Sequence, residues 1–192
     1  MSIEFELKYR ATPEVLAAVA QAVTGEIRHF AMRTAYYDTS EKALSQKCCT
    51  LRRRMENDTS VCTLKMPAGN LGRAEFEVEC GSIETAIPAL CKLSGFAELA
   101  DLASDLKEIC GARFDRTAIT VELQDCSVEL ALDEGVLIGG DREIPLCELE
   151  VELKSGSREA ATLYAAQLAL AYGLVPEAQS KFRRASLLAG GN

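Results

Sequence analysis

The chain has no tryptophan, a single histidine and no surplus of basic residues. Each shortage removes a class of function. With only His29 available, and no recognisable motif around it, a Ser-His-Asp or Cys-His nucleophile has no evident base. His29 therefore reads as an ordinary surface or strand residue. Lysine and arginine number 21 against 29 acids, a formal net charge of −8, which argues against binding to a nucleic-acid duplex while leaving room for a local basic pocket. No apolar run reaches the roughly 18 residues of a membrane span. The N-terminus places acids ahead of any apolar stretch, unlike a secretory leader. These absences point to a cytoplasmic protein without membrane contact. Cysteine is plentiful, at eight, but no C-x-x-C pair and no zinc-like spacing organises it. The cysteines read as reduced, small apolar side chains.

What the chain does have is alternation. Ile3, Phe5 and Leu7 share one face of an N-terminal strand, and Glu4, Glu6 and Lys8 share the other. Arg73, Glu75, Glu77 and Glu79 alternate with Ala74, Phe76 and Val78, and Glu148, Glu150, Glu152 and Lys154 with Leu149, Val151 and Leu153. Thr50–Glu56 puts Arg52 and Arg54 on one face, and Ser60–Met66, beyond a turn at Asn57-Asp58, does the same with Thr63 and Lys65. The charges are sorted by strand, basic in some and acidic in others. A solvated face would scatter them by sign.

Between these strands the pattern predicts a helix from Pro13 to about Val23, a strand over Glu26–Asp38, and helices over Ile83–Leu93 and Phe96–Ile109. A second strand-rich half starts near Ala112, with turns at Asp125-Cys126 and Glu134-Gly135. Ser157–Tyr172 is a long helix, and a short one follows Ser180. If amphipathic helices cover the apolar faces of the sheet, the ionic faces line a water-filled tunnel. Acidic rows suit hard divalent cations and basic rows suit phosphates. Together they describe a site for a metal-bound polyphosphate.

The same residues resemble the CYTH superfamily, the triphosphate tunnel metalloenzymes. Glu4-x-Glu6-x-Lys8 resembles its E-x-E-x-K signature. In order along the chain, Tyr36-Tyr37-Asp38-Thr39 resembles Y-[YF]-D-T, Leu51-Arg52-Arg53-Arg54 L-R-x-R, Thr63-x-Lys65 T-x-K, and Arg73-x-Glu75-x-Glu77 R-x-E-x-E. Arg116 matches the arginine opening the second half, Asp133-Glu134-Gly135 the D-x-G hairpin, Glu148-x-Glu150 the E-x-E pair, and Ser180-Lys181-Phe182-Arg183-Arg184 the closing S-K-x-x-R. The resemblance implies an α+β fold: a closed eight-stranded antiparallel β-barrel tunnel with a polar interior, flanked by helices. It also implies hydrolysis or cyclisation of a small-molecule triphosphate with Mg2+ or Mn2+.

Within that family the chain looks most like bacterial inorganic triphosphatases. It would be a single CYTH domain over 1–192, without the C-terminal CHAD domain those enzymes often carry, and a homodimer is compatible with it. On this reading Lys8, Arg52, Arg54, Lys65, Arg73, Arg116, Lys181 and Arg184 face phosphate oxygens, with Glu75 and Glu77 among them. Asp133, Glu148 and Glu150, with Glu4 or Glu6, hold metal, and a second ion could sit near Glu4/Glu6 or Glu75/Glu77. Glu4, Glu6, Lys8, Lys65 and Lys181 carry the catalytic role. The pattern leaves Glu79, Glu129, Glu152 and Arg113 undecided. Ala118 departs from members with a second basic residue two positions after the Arg116 match. The alternatives are a thiamine triphosphatase, an adenylate cyclase, a nucleoside or RNA triphosphatase, or a non-catalytic module that binds polyphosphate or nucleotide. The scarcity of aromatics, 6% of residues, favours a ligand without a base.

Overall fold

The computed structural model describes residues 2–3, 5–69 and 72–190, and its strands form one antiparallel sheet. The strands are β1 (Ser2–Ile3), β2 (Glu6–Arg10), β3 (Glu26–Asp38), β4 (Thr50–Glu56), β5 (Thr59–Pro67), β6 (Arg73–Glu79), β7 (Lys107–Glu122), β8 (Cys126–Gly139), β9 (Arg142–Gly156) and β10 (Val175–Pro176). Their order across the sheet is β1-β6-β5-β4-β3-β7-β8-β9-β2-β10.

This corrects the expected closed eight-stranded barrel: among the described residues the sheet has ten strands and its hydrogen-bond ladder does not close. The reason lies in the N-terminal segment, which was expected to be one strand. It divides, Ile3 pairing with Ala74 of β6 and Glu6 with Glu152 of β9. A three-residue step spans at most about 11 Å, so the chain itself draws the two edges together where no ladder joins them.

Helices cover the outer, apolar face in two layers. α1 (Pro13–Ala22), capped by Thr12, and α5 (Arg158–Tyr172), capped by Ser157, lay Leu16, Val19, Ala161 and Leu168 on Leu130, Leu132, Leu149 and Val151. α2 (Ala43–Gln46), α3 (Ile83–Ser94) and α4 (Glu98–Asp101) cover Leu51, Cys62, Leu64 and Phe76 with Leu44, Ile87, Leu90 and Leu99. The C-terminal helix α6 (Lys181–Leu188) brings Ala185 onto Phe114, Leu137 and Leu146. Each fully buried leucine contributes about 2 kcal/mol. The outer layers therefore supply most of the core, and the inner face of the sheet is apolar only where α6 packs on it.

Two further expectations fail. Phe96–Ile109 is not a helix: α4 and a 3₁₀ turn at Ala103–Asp105 end by Leu106, and β7 has begun at Lys107 rather than Ala112. Pairing of Lys107 and Glu108 with Asp38 and Tyr37 of β3 overrides local helix propensity there. Glu134-Gly135 is not a turn, and Asp133-Glu134-Gly135 is not a hairpin. β8 runs through it, and a Cβ on Gly135 would lie 2.2 Å from the Arg113 carbonyl oxygen of β7. The glycine permits close strand approach instead. All eight cysteines are free, and burial pushes the Cys62, Cys110 and Cys147 thiols up to about 11, 12 and 11. His29 is exposed and contacts Thr117 Oγ1. Among the described residues no helix is long and apolar enough to cross a membrane.

Candidate active site

The inner face of the sheet encloses a cavity of about 320 Å3, lined from strands β2 to β9 and from the start of α6. Period-two alternation puts it there: the residues that point away from the helical layers point into it.

On one side stand the acids. Asp133, Glu148 and Glu150 present oxygens within 4.8 Å of one another, from neighbouring positions of β8 and β9. Three such carboxylates would repel each other without cations. Lys181 Nζ supplies one, 2.8 Å from Asp133 Oδ2, 2.9 Å from Glu150 Oε1, and bonded to Glu148 Oε1. Arg116 grips Asp133 with two bonds of 2.7 Å and reaches Glu150 Oε2 at 2.9 Å. Arg184 bonds the remaining Glu148 oxygen. Burial alone would raise the Glu150 pKa, but Lys181 and Arg116 hold it well below the ordinary carboxylate range. Burial pushes Glu148 up, helped by the facing Glu150 and opposed by Lys181 and Arg184. An ammonium has three donors, and all three of Lys181's meet carboxylates.

The other side is basic and less satisfied. Arg52 is buried, yet its nearest carboxylates, Glu75 and Glu77, are 3.9 and 3.8 Å away. The Nε atoms of Arg52 and Arg54 are buried with no hydrogen-bond partner. Burial lowers the Arg54 pKa, and the charges of Arg52 and Arg116 lower it further. Lys65 pairs with Glu75, and Thr63 donates to Glu77 at 2.9 Å. Lys8 Nζ bonds Glu6 at 2.7 Å. Arg73 sits at the end of this wall, one terminal nitrogen donating to Cys48 O, Thr50 Oγ1 and Lys65 O. Arg53, with the opposite parity, points outward and donates to Ser60 Oγ at 2.9 Å.

A model of the CYTH domain matches residues 2–186. The chain belongs to the CYTH domain family. An inorganic triphosphatase from Haemophilus influenzae is 31% identical over 163 residues, 80% of this chain and 46% of that protein. The chain thus spans about half the length of that curated relative. Two solved structures share the fold. A candidate adenylate cyclase from Bacillus halodurans has a TM-score of 0.67 at 21% identity, over 95% of this chain and 97% of its own. A candidate adenylyl cyclase from Hippeastrum, reported with a dominant triphosphatase activity, has a TM-score of 0.70 at 20% identity, over 94% of this chain and 93% of its own.

Within the structure the expected site residues divide cleanly. Lys8, Arg52, Arg54, Lys65, Glu75, Glu77, Arg116, Glu150 and Lys181 all line the cavity, with Glu6 and Arg73. Asp133, Glu148 and Arg184 lie behind them in the acidic network. Glu4 falls outside the described residues. Glu75 and Glu77 gather no third acidic ligand among the described residues, so the acid group that could hold a metal is the triad. Its oxygens suit a hard divalent cation, and Lys181 already stands among them as a tethered cation. Of the undecided residues, Glu129 and Glu152 line the cavity, whereas Arg113 pairs outside it with Glu143.

Arg28 and Glu177 were not anticipated, nor were Glu56 and Lys154 on the cavity wall. Arg28 lines the cavity and bonds Glu129 at 2.6 Å. It pairs in register with Ala118, so β3 carries the charge that β7 lacks at that level. Counting back by twos from Tyr36 would have found it. Glu177 is buried between Arg10, whose Nε it accepts at 2.7 Å, and Arg184 at 3.9 Å, and its own amide bonds Lys8 O. It sits in a loop, where periodicity carries no signal.

Proposed function

We propose that this chain is a divalent-metal-dependent triphosphatase that splits inorganic tripolyphosphate into pyrophosphate and phosphate. The observation that carries the reading is Arg52 and Arg54 on the cavity wall, each with a buried Nε that lacks a hydrogen-bond partner, opposite a wall already neutralised. Buried donors left without acceptors are costly, and phosphate oxygens are the acceptors an arginine fork fits best. The CYTH match and the triphosphatase relative support the same reading.

Phosphoryl transfer between oxygens depends on positioning and on neutralising charge at the transferred group. Arg52 and Arg54 do this from β4, with Lys65 beside them and Lys8 across the cavity. Asp133, Glu148 and Glu150 are the residues that would hold a divalent ion, which would supply charge neutralisation and lower the pKa of an attacking water. Lys181 and Arg116 keep that triad assembled beforehand.

The ligand is read as inorganic because the aromatic rings lining the cavity are already engaged. Arg28 lies over Phe30 at 5.7 Å, and Tyr36 and Phe182 meet at 5.2 Å between centroids. A nucleobase or thiazolium would need a ring to stack on. Turnover of tripolyphosphate, ATP and thiamine triphosphate, compared with Mg2+, with Mn2+ and in EDTA, tests the proposal. Tripolyphosphate should be cleaved fastest, and EDTA should abolish cleavage until a divalent ion is restored. Full activity in chelator would remove the metal from the reading, and faster turnover of ATP would remove the inorganic substrate.

A further inference from the structure

A second cavity, of about 270 Å3, adjoins the first and shares Thr50, Arg73, Ser180 and Phe182 with it. Its cations are Lys42, Arg73 and Arg183, and its hydroxyls include Ser45, Ser180 and Ser186. Among the described residues no carboxylate lines it. In a chain of net charge −8, a concave surface of one positive sign focuses anions. Arg73 forms the wall between the two spaces, with its Nε buried and unpartnered.

The main cavity is therefore asymmetric along its length. Thr50, at one end of β4, opens onto the basic annex. Glu56, at the other end of β4, lies towards Arg28 and Glu129, where the lining also carries Glu6 and Glu152. An anion leaving past Glu56 would cross a mouth where each carboxylate is already matched by a cation, Lys8, Arg28, Arg54 or Lys154, whereas one leaving past Arg73 meets the further cations Lys42 and Arg183 with hydroxyls, Cys48, Cys49 and Phe182.

We infer that the annex is a separate phosphoanion site, which receives inorganic pyrophosphate or phosphate released from the tunnel. The identity of the anion rests on the proposed triphosphatase reading; the site itself rests on the lining. Lys42 and Arg183, both exposed and outside the proposed catalytic set, supply its outer rim. Arg73 connects it to the tunnel.

The cavity carries its own reporter. Cys48 lines it, and is the exposed member of the eight free cysteines. Alkylation of Cys48 by N-ethylmaleimide, followed by peptide mass spectrometry with and without inorganic pyrophosphate, measures occupancy without any turnover. At pyrophosphate about ten times its Kd, labelling should slow roughly tenfold, because the unliganded fraction falls as 1/(1 + [L]/Kd). The protection should persist in Arg52→Ala/Arg54→Ala, whose tunnel clamp is removed. It should vanish in Lys42→Glu/Arg183→Glu, which should still hydrolyse tripolyphosphate and so be shown to fold.

Unchanged Cys48 labelling in the unmodified protein would overturn the site. Protection lost with the tunnel variant would also overturn it, by making the effect indirect. Protection by tripolyphosphate and not by pyrophosphate would place the overhanging end of a tunnel-bound chain there and overturn the product assignment. If the protein cleaves no triphosphate yet shows the expected protection pattern, the anion site stands and the catalytic reading fails.

Discussion

The acidic and basic walls of the cavity belong to one sheet and are equally ionic, but they are satisfied differently. On the acidic side, all six oxygens of Asp133, Glu148 and Glu150 have cationic partners, although Arg184 Nε lacks one. On the basic side, Arg52 and Arg54 keep buried nitrogens without acceptors, and the Arg52 ion pairs stretch to 3.8 and 3.9 Å. A closed ionic network serves the folded state, because each member is compensated by its neighbours. An open one serves a ligand, since its deficit is removed only when an anion arrives. The difference separates residues that hold the tunnel in shape from residues that wait for substrate, which a motif list treats alike.

Removing Glu148 should have the largest effect. It is completely buried between Lys181 and Arg184. Glu148→Ala leaves two charges facing a void, and breaking a buried pair in this way costs about 3–5 kcal/mol. Chemical denaturation of the variant measures the loss. A change below about 1 kcal/mol would mean that the acidic wall is solvated like a surface and that the contrast between the walls is wrong. The same network gives a pH dependence. Glu150 has a depressed folded-state pKa, so its contribution to stability is present above the ordinary value of 4.5 and is lost as pH falls through the folded value. Glu150→Gln should flatten that acid limb. A limb as steep as in the unmodified protein would assign it to other carboxylates.

The basic wall should behave in the opposite way. Arg52→Ala or Arg54→Ala should lower tripolyphosphate turnover about a hundredfold, the equivalent of roughly 3 kcal/mol at a developing phosphoryl charge. The melting temperature should move little, because no short ion pair is lost from Arg52 and the desolvation of a buried cation is relieved. Arg53→Ala is the control: its side chain lies on the helix-covered face, bonded to Ser60, and turnover should be nearly unchanged. An inactive Arg53→Ala beside active Arg52→Ala and Arg54→Ala would invert the strand register.

Much of this contrast was legible in the chain. Alternation fixed which of Arg52, Arg53 and Arg54 face inward, because a strand has only two faces. It did not show that Lys181 and Arg116 bind carboxylates rather than standing free for phosphate. That depends on how α6 docks against β7 and β8, which no local pattern encodes. The N-terminal alternation read as one strand because periodicity is blind to a change of partner between Ile3 and Glu6. Gly135 read as a turn because glycine serves both turns and close strand approach, and only the position of Arg113 O decides between them. Glu177 has no period to betray it.

A shift in metal affinity is the smallest effect expected and the sharpest test of the acidic wall. Lys181 has its three donors on the three carboxylates that could hold a divalent ion, so an entering ion must compete with a tethered ammonium. Lys181→Met removes the competitor and leaves three carboxylates facing Arg116 and Arg184, with Lys8 also near Glu150. Without metal the variant should be less stable than the parent, since the triad's mutual repulsion is less screened. With Mn2+ the order should shift: the ion should bind the variant about tenfold more tightly, a difference of roughly 1.4 kcal/mol, and should raise its melting temperature by more. Calorimetric titration with Mn2+ in the absence of substrate reads the affinity, and thermal melts with and without Mn2+ read the stability. The two readouts are independent of turnover, which Lys181→Met could impair for other reasons. Equal Mn2+ affinity in parent and variant would show that the ion does not enter the triad. Its ligands would then lie elsewhere in the cavity, Glu6 being one candidate, and the acidic wall would be a structural network alone.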